Sequence, residues 1–217
     1  MERYFLLDKF NTFYDWRLIV TGKSITPPEP KTMYVEIDGM SGSLDLSEAL
    51  SGEVTYKDRE LTARFWTDRG TRKEREKLLR EIRLAIHGKK IKIVEPDDPD
   101  HYFLGRVQIK AEVNNLAFAE FEIVAICEPW RYCINDSFRR VDLDNNEINV
   151  VIKNSGAKTI CPEIKVTDDV TITYDNIETL LTPGTYLIPT LKLYHGFNVI
   201  KLSGNGVVSF SYKEADL

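Results

Sequence analysis

One segment of this sequence carries the pattern of an amphipathic α-helix, whereas the segments around it show the alternation that is typical of β-strands. Thr71 predicts the N-cap, and Glu74 three positions later completes a capping box. Gly88 predicts the left-handed residue that follows a last helical turn. Between these signals, apolar residues recur at spacings of three and four, which predicts one buried stripe. The stripe consists of Leu78, Leu79, Ile82, Ala85 and Ile86.

The opposite face of the predicted helix is basic, but acidic residues interrupt it. Its charged residues are Arg72, Lys73, Glu76, Lys77, Arg80, Glu81 and Arg83. A continuous basic face would indicate nucleic-acid binding, whereas mixed signs are typical of a solvated face. The whole chain of 217 residues has 29 Lys and Arg against 34 Asp and Glu, a net charge of −5. Both observations argue against a general nucleic-acid binder.

Alternating apolar and polar residues predict strands on both sides of the helix. Those before it are Phe13–Thr21, Met33–Ile37, Val54–Tyr56 and Leu61–Trp66, and the first one after it is Ile91–Val94. The segment Gly39–Gly52 is expected to be a loop with one helical turn. The clearest signal is a long antiparallel hairpin, with alternation over Val107–Val113 and Ala117–Ala125 and a turn at Asn114-Asn115.

The chain changes character after Trp130. Short strands separated by turn residues recur from there on, without a helical pattern, and they are Ile148–Ile152, Glu163–Val166, Val170–Tyr174, Glu178–Leu181, Thr190–Tyr194, Asn198–Leu202 and Val207–Tyr212. Turns are expected at Pro183-Gly184 and at Gly204–Gly206, among others. This spacing is typical of an antiparallel β-sandwich. We therefore expect a first domain over 1–133, a linker over 134–140 and a sandwich domain over 141–217.

The sequence predicts no catalytic site. The nearest candidates for acid–base or nucleophilic chemistry are Glu120, Glu122, Asp97, Asp98 and Cys127. The first pair faces outward on a strand and the second pair lies in a turn. A single cysteine is normally a small buried apolar residue. Because no nucleophile or phosphate-binding motif is present either, we expect a protein that is not an enzyme.

No metal or cofactor site is predicted. The carboxylates of Glu95–Asp100 suggest a calcium loop, but two prolines and irregular spacing favour a turn. The three cysteines show no CxxC spacing, and the three histidines lie far apart in the sequence. This use of cysteine favours a reducing compartment over a disulfide framework.

Neither a membrane segment nor a signal peptide is expected. The apolar runs are far shorter than the ~20 residues of a membrane helix, and the N-terminal MERYFLLDKFN lacks the pattern of a signal peptide. Sugar binding stays open as an alternative, because a β-sandwich is a common lectin frame in which a sugar stacks on an exposed aromatic. Tyr186 and Tyr194 are the candidates for such stacking, and they would make the chain a carbohydrate-binding adhesion module.

Several segments, in their order and spacing, resemble the distal tail protein family of long-tailed, siphovirus-type bacteriophages and prophages. In the first half they are GSLDLSEALSG (42–52), RKEREKLLREI (72–82), HGKKIKI (87–93), DDPDHYFLGRV (97–107) and AFAEFEIVAICEPW (117–130). In the second half they are NSGAKTICPEIKV (154–166) and HGFNVIKLSGNGVVSFSY (195–212). The resemblance covers nearly the whole chain.

The resemblance implies a fold and a role in the virion tail. The first domain would be a split β-barrel with one helix and a long hairpin, and the second a galectin-like antiparallel β-sandwich. Copies of the chain would form a hexameric ring, single or stacked as a double ring. This distal tail hub would join the tail tube protein to the baseplate and to tail-associated, fibre or receptor-binding proteins. DNA would pass through its lumen only as cargo.

A closed ring needs heterologous interfaces, in which one surface of each copy contacts a different surface of the next, and long exposed strands and loops can supply them. We expect these contacts in the hairpin Tyr102–Val124 and in the loop Gly39–Gly52. The residues expected at the ring interface are Lys110, Glu112, Asn114, Asn115, Leu44, Asp45 and Leu46.

Overall fold

A computed structural model describes residues 3–217, apart from the side chain of Ala111. The chain divides into two compact units, Met1–Arg131 and Tyr132–Leu217. Over the described residues there is one helix, and the other regular elements are strands, so the expected class of a mainly β protein with one α-helix is confirmed. Residues 137–140, expected to be part of a linker, are the first residues of a strand.

The first unit is built on one curved antiparallel sheet with a helix. Its elements are β1 (Leu6–Leu7), β2 (Phe10–Asn11), β3 (Ile19–Ile25), β4 (Tyr34–Glu36), β5 (Ser43–Asp45), β6 (Arg59–Thr67), α1 (Arg72–Ile86), β7 (Lys90–Glu95), β8 (Asp98–Asn114) and β9 (Ala119–Cys133). The order in the main sheet is β2–β1–β7–β8–β9–β6–β3, whereas β4 and β5 pair only with each other. Side chains that alternate inward along β6 and β9 meet the apolar stripe of α1 and form the core.

The helix begins and ends where its capping residues predict. The Thr71 hydroxyl accepts a hydrogen bond from the Glu74 backbone N–H at 3.3 Å, and the Glu74 carboxylate accepts one from the Thr71 N–H at 2.7 Å. At the other end Gly88 has a φ of 75°, the left-handed conformation expected of it. Leu79, Ile82 and Ile86 are buried. Propensity and capping therefore set the limits of α1, and its burial against the sheet stabilises it.

We expect the capping box to add a pH-dependent component to stability. The backbone N–H and then the hydroxyl of Thr71 lower the pKa of the Glu74 carboxyl from its ordinary value. Because the folded-state pKa is the lower one, this contribution is present above the unfolded-state pKa of about 4.3 and is lost as the pH falls through the folded pKa. Urea unfolding should therefore show wild type more stable than Glu74→Gln near neutral pH. The difference should shrink to nothing at lower pH, and a difference that does not change with pH would contradict this account.

The strand predicted over Phe13–Thr21 is wrong in its first half. Turns occupy this part, and β3 begins only at Ile19. The Asn11 side chain accepts hydrogen bonds from the N–H groups of Phe13 and Tyr14 at 3.0 and 2.9 Å. These bonds to the local backbone outweigh the alternating pattern, because short polar side chains compete with sheet pairing.

The second unit is a single antiparallel sheet that encloses its own apolar core. Its strands are β10 (Ser137–Asn154), β11 (Glu163–Val166), β12 (Val170–Tyr174), β13 (Ile177–Leu181), β14 (Gly184–Leu187) and β15 (Gly196–Tyr212). The short strand β16 (Ala215–Asp216) follows and is not part of this sheet. The path through the sheet is β13–β12–β15–β11–β14, and β10 pairs along the other side of β15. The strands expected over Glu163–Val166 and Val170–Tyr174 are confirmed.

The expected turn at Gly204–Gly206 is wrong, because these residues lie within β15, which continues on both sides of them. Gly204 and Gly206 have φ values of 130° and 95°, which glycine adopts without the steric penalty of a Cβ. Before this point β15 pairs with β12, and after it β15 pairs with β11. The two glycines therefore bend one long strand from one neighbour to the next. The expected turn at Pro183-Gly184 does separate two strands, since β13 ends at Leu181 and β14 begins at Gly184. The strand expected over Thr190–Tyr194 is wrong, because this segment makes only an isolated bridge at Leu193.

We expect Cys127 to be chemically silent in the folded protein. It lies fully buried in the first core, and burial raises the pKa of its thiol to about 12. The thiolate is the reactive form, so a disulfide reagent at pH 8 should leave Cys127 unmodified until denaturant is added. The exposed Cys161 should react without denaturant. Peptide mass spectrometry would locate the label, and early modification of Cys127 would contradict its burial.

Candidate functional site

The most exposed part of the first unit is a projecting hairpin that we term the arm, residues 31–55. Its base is closed by a hydrogen bond from the Lys31 N–H to the Thr55 carbonyl at 2.8 Å and by the bridge between Pro30 and Tyr56. β4 and β5 pair within it. None of its residues is buried. The arm is therefore held by its own backbone bonds and contributes nothing to either core.

The arm displays apolar side chains to solvent. Those that are exposed are Met33, Tyr34, Ile37, Met40, Leu44, Leu50 and Val54, and Leu50 has a relative exposure of 101%. An exposed apolar surface of this kind usually marks a contact with another protein. Sequence reasoning identified only Leu44, Asp45 and Leu46 in this region. The wider apolar set had no distinct signal in the sequence, because Met33–Ile37 also fits the alternation of a half-buried strand.

Within the arm, the three residues expected at the ring interface, Leu44, Asp45 and Leu46, differ in how freely their side chains could contact another chain. Leu44 is exposed and Leu46 is half-buried. Asp45 is occupied, because its carboxylate accepts from the Ser47 hydroxyl and N–H, which lower the pKa of Asp45. Ser47 in turn accepts from the Met33 N–H at 2.9 Å. Asp45 therefore shapes the arm, and we expect Leu44 to make any contact with a neighbour.

The tip of the hairpin β8–β9 is attached to the start of α1. Asn114 donates to the Arg72 carbonyl at 3.1 Å and to the Glu76 carboxylate at 3.2 Å. The Asn115 side chain closes its own turn, accepting from the N–H groups of Ala117 and Phe118 at 2.8 and 2.9 Å. Both asparagines, expected at the ring interface, thus already have partners within the chain.

The centre of this attachment is Arg75, which sequence reasoning missed. It is 2% exposed, although it lies in a helix turn that is otherwise charged and solvated. Its guanidinium donates to the carbonyls of Asn115 at 2.8 Å and Leu116 at 3.1 Å, and also to the carbonyl of Gly70. The signal was its position four residues before Leu79, on the buried stripe. Arg75 therefore joins the helix start, the preceding loop and the hairpin tip.

Beyond this attachment, part of the hairpin remains open to solvent. Lys110 is exposed, and Glu112 forms an ion pair with Arg83 of α1. Val113 and, at the tip, Leu116 are exposed, and Leu116 has a relative exposure of 86%. The expectation that this hairpin contributes to a ring interface remains a prediction, with Lys110 and Leu116 as its available side chains.

The candidates for catalysis are occupied by structural interactions. Glu122 accepts from the Arg64 Nε at 2.8 Å. Asp97 forms ion pairs with Lys23 and Arg3, which lower the pKa of its carboxyl. Asp98 accepts from His101 at 2.8 Å and from Arg131 at 3.0 Å. A lowered carboxyl pKa and the raised thiol pKa of Cys127 are the opposite of what a general acid or a nucleophile needs.

The two tyrosines expected for sugar stacking lie on different elements. Tyr186, in β14, donates its hydroxyl to the Thr182 carbonyl at 2.9 Å. Tyr194 lies before β15 and is about half exposed. No observed geometry brings them together as a stacking platform, so sugar binding stays an untested alternative.

Residues 3–217 contain neither a metal-binding cluster nor a membrane-spanning helix. In this part of the chain, no group of three or more His, Cys, Asp or Glu side chains is placed to hold a metal ion. The described helix is neither long nor apolar enough to span a membrane.

The fold of this chain is similar to that of a phage protein of known structure. No protein-family model matches this chain, and no curated protein matches it. Among solved structures, the fold is similar to that of the Dit protein (gp 19.1) of SPP1, with a TM-score of 0.72 and 14% sequence identity over 100% of both chains. That protein is described as a paradigm of the hub adsorption apparatus in phages that infect Gram-positive bacteria. The fold expected from the resemblance to distal tail proteins is thereby confirmed.

Proposed function

We propose that this chain is a structural protein of a phage tail, a hub that assembles into a ring between the tail tube and the adhesion proteins of the tail tip. The observation that carries the proposal is the likeness of its fold, over the full length, to SPP1 Dit. The arm is a second, independent observation that supports the proposal. A hairpin without buried residues and with exposed apolar side chains is suited to contact with another chain.

In this proposal the first unit forms a hexameric ring, single or stacked as a double ring. A ring of identical copies requires that each copy offer one surface and accept another, and the arm is a surface to offer. The faces of the ring would bind the tail tube protein on one side and tail-associated, fibre or receptor-binding proteins on the other. The net charge of −5 suits a lumen through which DNA passes without adhering to the wall.

The test is the mass of the purified chain in solution, measured by light scattering over a wide range of concentration, with negative-stain images of the same fractions. We expect particles of six times the 25.0 kDa of one chain, or twice that for a stacked pair, with an open centre. A 25.0 kDa particle at every concentration would contradict self-assembly. Binding of that monomer to a glycan array would then favour the adhesion module, with Tyr186→Ala and Tyr194→Ala as the deciding variants.

A further inference from the structure

The outer surface of α1 carries a groove in which an apolar side chain lies among two arginines and a histidine. Arg80, Arg83, Leu84 and His87 line it. Leu84 has a relative exposure of 79%, which is unusual for a leucine on a helix whose opposite face packs on a core. The groove therefore combines an exposed apolar side chain with side chains that can donate hydrogen bonds.

The hydrogen bonds and ion pairs of the groove residues determine which of them can still donate to a ligand. The Nδ1 atom of His87 accepts from the Ile109 N–H at 3.1 Å, so in the neutral ring the proton is on Nε2, which is left as a donor. Arg80 forms no ion pair among the described residues, whereas Arg83 pairs with Glu112. On the same helix, Glu81 pairs with Lys77 at 3.9 Å, and Glu76, one turn before Arg80, accepts from Asn114 at 3.2 Å. The groove therefore offers at least two donors, Arg80 and His87, to an incoming carboxylate.

The arm carries the complementary chemistry. Residues 31–55 contain five carboxylates and one lysine. At the end of β4, Ile37 is exposed and is flanked by Glu36 and Asp38, which are exposed too. The next residues form a tight turn, with the Met40 N–H donating to the Ile37 carbonyl at 3.0 Å. An apolar side chain between two acids thus lies at the tip of the arm.

From this complementarity we infer that the arm tip of one copy docks in the α1 groove of the neighbouring copy, with Ile37 against Leu84 and with Glu36 and Asp38 facing Arg80 and His87. The occupant is a second copy of this chain, because the arm offers an apolar residue between carboxylates and the groove offers the reverse. Each copy then donates one arm and accepts one, which is the head-to-tail arrangement that closes a ring. The inference rests on the proposed ring and adds the surface that receives the arm.

Charge reversal on both sides tests the docking. Asp38→Lys and Arg80→Glu should each raise the concentration at which the assembly dissociates by about tenfold or more, because each places like charges opposite one another. The double variant restores opposite signs and should recover most of the wild-type affinity. Lys73→Glu is the matched control, since it makes the same charge change on an exposed residue of α1 outside the groove. Thermal unfolding of each variant would confirm that it folds.

A cross-link provides a second measurement that does not depend on charge. Ile37→Cys chains mixed with Leu84→Cys chains should form a disulfide between positions 37 and 84 of different chains, identified by peptide mass spectrometry. Rings that persist in both charge variants, without this cross-link, would overturn the docking and leave the proposed hub in place. Wild-type chains that never associate would instead overturn the proposed ring, and the docking with it.

Discussion

Replacing Arg75 by methionine is expected to lower the free energy of unfolding by about 3 kcal/mol, because several carbonyl groups lose their donor at once. In the folded protein one buried guanidinium serves the carbonyls of Gly70, Asn115 and Leu116. Among the described residues no carboxylate pairs with it, so its charge is stabilised by these carbonyl dipoles and by the Asn114 side chain at 3.4 Å. Methionine keeps the packing of the aliphatic stem but leaves the carbonyls without a partner.

The positions of the carbonyls around Arg75 also predict the stability of the conservative variant Arg75→Lys. The carbonyls lie on two sides of the planar guanidinium, in the loop before α1 and in the hairpin tip. A lysine ammonium is a compact donor that does not reach both sides, so Arg75→Lys should lose much of the same stability. Hydrogen exchange in the turn after Asn114 should accelerate in both variants, because the tip is no longer fastened to the helix.

Arg72→Met is the matched control for these measurements. Arg72 lies one turn earlier in the same helix, and its side chain is exposed. Surface substitutions of this kind change stability by no more than about 0.5 kcal/mol. Denaturant unfolding of wild type and of each variant in the same buffer would measure the free energy of unfolding of each protein. An Arg75→Met protein as stable as Arg72→Met would show that Arg75 does not hold these segments together.

Removing the arm is expected to abolish assembly while leaving the fold intact. In this variant an Asn-Gly turn replaces residues 33–53, and the hairpin base between Lys31 and Thr55 is kept. No residue of the arm is buried, so the deletion removes no core contact and the melting temperature should change by only a few degrees. Light scattering should find a single chain at concentrations at which the wild-type protein forms rings.

The matched control keeps the length of the arm and removes only its apolar surface. Substituting serine at Ile37, Met40 and Leu50 retains the backbone pairing of β4 and β5, because these residues lie outside both strands. We expect the same loss of assembly as in the deletion. A shortened chain that still forms rings would assign the interface to other surfaces, with the exposed Lys110 and Leu116 of the β8–β9 hairpin as the next to examine.

The elements that the sequence predicts well are those held by interactions between near neighbours. The capping box of Thr71 and Glu74 joins residues three apart, and Gly88 ends the helix through its own backbone conformation. The long hairpin around Asn115 was also predictable, since alternating side chains and a turn-forming asparagine act over a few residues. Each of these signals is complete within one segment, so no knowledge of distant residues is needed.

The candidate surfaces were only partly predictable, because they depend on residues that are distant in the sequence. Long hairpins and a glycine-bounded loop indicated where a ring contact is expected, but exposure is a property of the whole fold. From the sequence, Asp45, Asn114 and Asn115 were expected to contact a neighbouring copy, but the side chain of each forms hydrogen bonds within its own chain. Leu84 lies outside the predicted apolar stripe and four residues after Arg80, so helical spacing places it on the charged face.

The sequence by itself therefore determined the limits of the single helix, the mainly β class and the positions of most strands, because capping, alternation and turn chemistry act between residues close in the chain. Only the tertiary structure decided which charged residue is buried, where β15 exchanges β12 for β11, and that residues 31–55 stand clear of both cores. These features depend on carbonyls and strands supplied by segments distant in sequence. The burial of Arg75 is the clearest case, since its partners Asn115 and Leu116 come from the far end of a hairpin.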